Sequence, residues 1–163
     1  MTNDRQELDI ADSRILIVDD QLANVELLES ILLNEGFTNL TATTDPSHAY
    51  ALCCAFQPDL LMLDLKMPGV DGFAVLSRLA DLRSDQYLPV VVLTADVSRA
   101  ARHKALSLGA TDFLTKPFDN TEVMLRVWNL LEARQLYKRL ESFGPTEGIG
   151  LQTRRQEAFK DPP

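Results

Sequence analysis

Five side chains in this sequence have the types and spacing for phosphoryl chemistry: Asp19, Asp20, Asp64, Thr94 and Lys116. Asp19 and Asp20 follow the apolar run Ile15–Val18, and Asp64 follows Leu60–Leu63. Thr94 closes the run that begins at Val90, and Lys116 stands next to Thr115 at the end of a fifth segment. Three carboxylates packed together repel, so at least one is driven towards protonation unless a cation joins them. An all-oxygen set completed by water suits Mg2+ or Mn2+ better than zinc. With a metal shielding phosphoryl oxygens, a carboxylate can attack phosphorus. Asp64 is the nucleophile candidate, because a Pro/Gly loop follows it at once and leaves its side chain accessible. Asp20, and more indirectly Asp19, would hold the metal. Thr94 can donate a hydroxyl hydrogen bond to a phosphoryl oxygen, and Lys116 offers a mobile point charge. Such a site works by positioning and charge neutralisation, with no general-base triad.

The elements that must gather these residues follow from the apolar runs. Ile15–Val18, Leu40–Thr43, Leu60–Leu63, Val90–Leu93 and Asp112–Thr115 predict five strands, with Leu40–Thr43 the weakest and near an edge. A helix is expected after each: about Ala23–Glu35 with Val25, Leu28, Ile31 and Leu32 on its inner face and Gly36 as stop; one begun by Asp45-Pro46; Phe73–Leu82; Ser98–Leu108; and about Asn120–Ser142. Residues 65–72 read as a loop of turn formers. Right-handed crossovers would make a flavodoxin-like α/β fold, a five-stranded parallel sheet of order 2-1-3-4-5 with helices on both faces. Ligands bind such sheets at the carboxyl edge, where all five residues would stand.

The chain has 163 residues, 45% hydrophobic and 25% charged, with a net charge of −8. That charge disfavours direct nucleic-acid binding. No stretch is apolar enough to insert in a membrane, and the polar start carries no signal core, so a cytoplasmic location is expected. Cys53 and Cys54 read as small helix residues, and His48 and His103 as surface positions. Residues 1–13 are expected to be a flexible leader, 14–131 the domain, 132–143 a helical extension and 144–163 a mobile tail.

Taken singly, an Asp at a strand end is usually a cap, and a Lys-Pro a loop dipeptide. Together, ILIVDD at 15–20, LLMLDLKMPGVDG at 60–72, VVVLTA at 90–95 and GATDFLTKPF at 109–118 resemble a bacterial response-regulator receiver domain. The resemblance covers about Ser13 to Leu131. It implies that Asp64 accepts a phosphoryl group from a sensor histidine kinase or phosphotransfer protein, so that the chain is a phosphoacceptor signalling domain and not an enzyme, and that it docks on a downstream protein target. It implies Asp19, Asp20, Asp64 and the backbone carbonyl of Lys66 as metal ligands, Thr94 and Lys116 as phosphoryl-sensing residues, Thr94 and Phe113 as the switch pair, and a cis Lys116-Pro117 bond. Lys66, Ala95 and Asp96 would rim the site, with Lys66 and Asp96 facing each other across it.

Ala133, Leu136, Leu140 and Phe143 continue an a/d-like seam past the domain, which suggests a homodimer through the last helix. That helix also resembles linkers to HD-GYP cyclic-dinucleotide phosphodiesterases, so the chain could be a regulatory fragment of one. A Mg2+-dependent aspartyl-phosphate phosphatase stands as a different class, although its nucleophile would belong on the first strand.

Overall fold

A computed structural model describes residues 10–83 and 87–141. Its elements run β1 (Ile15–Val18), α1 (Leu22–Asn34), β2 (Leu40–Thr43), a 3-10 turn (Pro46–His48), α2 (Ala49–Phe56), β3 (Leu60–Asp64), β4 (Lys66–Met67), β5 (Val70–Asp71), α3 (Gly72–Arg83), β6 (Val90–Thr94), α4 (Arg99–Ser107), β7 (Asp112–Thr115) and α5 (Asn120–Glu141). Five strands form one parallel sheet in the order β2-β1-β3-β6-β7. With the two-residue strands set aside, this is the expected order 2-1-3-4-5. β2 lies at the edge, and all four of its residues are only half-buried.

Alternation along the strands builds two cores. Ile15, Ile17, Leu60, Met62, Val91, Leu93 and Leu114 face α1 and α5. Leu16, Val18, Leu61, Leu63, Val90, Val92 and Phe113 face α2, α3 and α4. The central strands are therefore apolar at every position before the Asp64 and Thr94 that end them, as strands covered on both faces must be. On α1 the inner residues are Val25, Leu28, Ile31 and Leu32, the set expected from helical spacing. Asp45 starts the next turn, with Oδ1 accepting from Ser47 N at 3.0 Å. Ser98 caps α4 by accepting from Ala101 N at 3.3 Å.

Three expectations need correction. The segment 65–72 is not simply a loop, because Lys66–Met67 pairs antiparallel with Val70–Asp71 in a small hairpin. Gly72 closes that hairpin against the strand before it. A Cβ there would lie 2.4 Å from Leu65 Cα and 2.7 Å from the Asp64 carbonyl oxygen, so only glycine fits. The leader does not hang free throughout, since Ile10 joins the first core and Ser13 is buried; residues 1–9 lie outside the described residues.

The helix does not leave the domain at Leu131 either. Arg134 is buried and, with Lys138, pairs with Asp59 on the floor of the sheet. Arg134 Nη1 also donates to the Tyr87 carbonyl, and the Tyr87 and Tyr137 rings pack with centroids 5.0 Å apart. Those floor residues still had surface to offer the helix. Leu136 and Leu140 of the expected seam are exposed, whereas Phe143 and the tail 144–163 lie outside the described residues. Cys53 is buried on α2, Cys54 is exposed, and both are free.

Candidate functional site

Parallel strands bring their carboxyl ends to one edge, and that edge gathers the five residues. Asp19 follows β1, Asp64 ends β3 and Thr94 ends β6. Lys116 follows β7, with its N–H donating to the Thr94 carbonyl at 2.9 Å. The Lys116-Pro117 bond is cis. Asp19 is 0% and Asp64 2% exposed. Carboxylate oxygens of Asp19, Asp20 and Asp64 all lie within 4.8 Å of one another.

Lys116 Nζ stands 3.1 Å from Asp19 Oδ2 and 3.3 Å from Asp64 Oδ2. These are ion-pair contacts without hydrogen-bond alignment, and both Oδ2 atoms are buried with no hydrogen-bond partner. Each Oδ1, by contrast, is committed. Asp64 Oδ1 accepts from Lys66 N at 3.2 Å, and Asp19 Oδ1 from Gln21 N at 2.9 Å.

Burial, and then the charge of Asp19, push the Asp64 carboxyl from 3.8 up to about 6; the Lys116 ammonium and the Lys66 N–H oppose this only in part. Two orphaned buried oxygens beside a third carboxylate form a hard, all-oxygen donor set. Such a set fits Mg2+ and offers nothing to a softer metal.

Thr94 is buried, and its hydroxyl is turned to its own loop. It accepts from Asp96 N at 2.9 Å and donates to the Asp96 carbonyl at 3.4 Å. Lys66 Nζ and Asp96 Oδ2 lie 3.8 Å apart, with the Lys66 side chain 73% exposed. Ala95 lies exposed between Thr94 and Asp96. Phe113 faces the second core near the strand end, with the Arg102 guanidinium 5.2 Å above its ring.

Two contributors escaped the reading of the sequence. Asn24 donates to Asp19 Oδ1 at 3.4 Å, and Gly72 lets the hairpin close against Leu65. Asn24 left a faint signal as a polar residue in the first turn after the acid pair. Gly72 left none beyond its place in a turn-rich stretch.

The model of the response regulator receiver domain matches residues 15–128, a span that contains every residue of the site. The chain belongs to that family. This receiver is 44% identical over 140 residues to the response regulator PleD of Caulobacter vibrioides, covering 84% of this chain and 31% of PleD. It is 36% identical over 122 residues to RpfG of Xanthomonas campestris, a cyclic di-GMP phosphodiesterase response regulator, covering 74% of this chain and 32% of RpfG. The receiver thus spans about a third of either relative. The receiver domain of a Francisella response regulator superposes with a TM-score of 0.67 at 27% identity, covering 75% of this chain and 98% of that one. Membership leaves the phosphatase alternative without support. Among the described residues, no helix is long and apolar enough to cross a membrane.

Proposed function

We propose that Asp64 is the phosphoacceptor of this receiver, loaded in the cytoplasm from a phosphohistidine on a sensor histidine kinase or phosphotransfer protein. The observation that carries this reading is Asp64 Oδ2, buried, without a hydrogen bond and 3.3 Å from an ammonium. That oxygen forms the new O–P bond as the P–N bond of the donor breaks, and the imidazole leaves with the electron pair.

Asp19, Asp20, Asp64 and the Lys66 carbonyl would hold Mg2+, which when bound supplies positive charge to the phosphoryl oxygens. Lys116 stays beside the acyl phosphate as the second cation. Thr94 gives up its bonds to Asp96 and donates to a phosphoryl oxygen, and Phe113 moves into the space it leaves. Phosphorylation adds charge and acceptor oxygens, so a local rearrangement becomes a new surface for a downstream protein target. Lys66, Ala95 and Asp96 border the path of the hydrolytic water and set the life of the acyl phosphate.

The test is labelling by acetyl phosphate with Mg2+. Asp64→Asn should take up no label, and full labelling of that variant would sink the assignment. We propose further that a second copy covers Leu136 and Leu140 on the distal turns of α5, which are 59% and 65% exposed. A chain that stays monomeric at high concentration, phosphorylated or not, would refute this. The similarity to RpfG favours a second reading of the output, that of a regulatory segment of a larger HD-GYP phosphodiesterase. A full transcript without such a domain would remove it.

A further inference from the structure

Asp19 and Asp64 share a pattern: one oxygen of each is committed and the other is open, and both open oxygens face Lys116. Backbone explains this for Asp64, whose partner is the Lys66 N–H. For Asp19 the backbone supplies only Gln21 N. The second donor is the Asn24 side chain, whose Nδ2 reaches Asp19 Oδ1 at 3.4 Å and Gln21 Oε1 at 3.1 Å. Asn24 sits in the first turn of α1, half-buried, beside a carboxylate that water does not reach.

We infer that Asn24 is a positioning residue, whose amide turns the Asp19 carboxylate so that Oδ2 faces Asp64 and the metal. The terminal torsion of an aspartate is broad and roughly two-fold, so one N–H on Oδ1 leaves the plane of the group loosely set. Repulsion from Asp64 favours rotating Oδ2 away. A second donor, arriving from the helix and not from the loop, opposes that rotation. The amide is neutral, so it steadies Asp19 without spending the negative charge that a cation needs. A lysine or arginine in its place would compete with the cation instead. The pairing with Gln21 Oε1 fixes the amide itself. Outer partners of this kind orient metal ligands and set their affinity.

The inference rests on the metal-holding reading of Asp19, and the experiment separates the two. Mg2+ is titrated calorimetrically into the full chain, with melting followed in EDTA. Asn24→Ala should raise the Mg2+ dissociation constant about tenfold, the low end for an outer partner. Its melting temperature should hold or rise, since alanine is the better helix former. A role limited to the helix would leave the dissociation constant alone. Phosphorylation by acetyl phosphate should recover towards the parent rate as Mg2+ saturates.

A dissociation constant within twofold of the parent's overturns the inference. Should Asn24→Ala fail to fold, Asn24→Ser, whose hydroxyl is too short to reach both acceptors, carries the same expectation and the same refutation. Asp20→Asn is the control. If it too binds Mg2+ like the parent, the metal-site reading is wrong and the role of Asn24 falls with it.

Discussion

Replacing Asp64 by Asn should stabilise the protein in metal-free buffer, although it destroys the nucleophile. Asp64 is ionised at neutral pH against burial and the charge of Asp19, which hold its carboxyl at about 6 instead of 3.8. That displacement corresponds to about 3 kcal/mol held against the ionised form. Between pH 4 and 6 the native state keeps a proton that the unfolded chain has released. Stability therefore falls as pH rises through that window, and the whole cost is present above it.

Asparagine removes the cost and keeps an oxygen for the Lys66 N–H. Lys116 is not stranded, because Asp19 Oδ2 remains 3.1 Å away. At pH 7.5 in EDTA the variant should melt higher by roughly 6–12 °C, taking about 2–4 °C per kcal/mol for a chain of this size. The gap should close towards pH 4. Millimolar Mg2+ should raise the parent more than the variant and narrow the gap from the other side. Circular dichroism melts across pH, with and without Mg2+, measure all of this. A variant that melts no higher than the parent at pH 7.5 in EDTA, or a gap that persists at pH 4, would refute the reasoning.

Three further outcomes are expected. Asp59→Ala should destabilise by about 3 kcal/mol in denaturant unfolding, because Arg134 is left buried without its carboxylate. Burial raises the Asp59 carboxyl, but the Lys138 hydrogen bond, the Arg14 N–H and the charges of Lys138 and Arg134 outweigh it and hold it below 3.8; its contribution is complete above pH 3.8 and lost as pH falls through the native value. Gly72→Ala should cost about 1–3 kcal/mol by overpacking against backbone and slow labelling of Asp64 with it, readable as a lower unfolding midpoint and a lower initial rate. Lys66→Ala and Asp96→Ala should leave the unfolding midpoint little changed, as exposed pairs do, yet change the decay of the acyl phosphate; unchanged decay in both and in the double variant would remove them from the water path.

Much of this architecture was legible because its signals are local. Apolar runs of four or five residues announce strands covered on both faces, and the residue that ends each run must lie at the edge. The inner face of α1 followed from spacing alone. What escaped depends on approach between elements. The hairpin at Lys66–Asp71 needs Gly72 to touch Leu65, and turn composition does not reveal that contact. The burial of Arg134 needs Asp59, 75 residues earlier, to sit beneath it. An arginine in a helical pattern otherwise reads as solvent-facing. Asn24 matters only because Asp19 turns back towards α1.

The fastening of α5 at the floor of the sheet has a mechanical consequence. Arg134 and Lys138 tie its later turns to Asp59, at the pole opposite the acidic edge. From Arg134 to Glu141 the helix runs on by about 10 Å at 1.5 Å per residue. Before Arg134 the helix has about 21 Å, from Asn120, at the same rise, so a displacement applied beside Lys116 and Pro117 would reach the far end at about half its size and in the opposite direction. The fastening to Asp59 therefore damps, and does not amplify, whatever the acidic edge passes along α5.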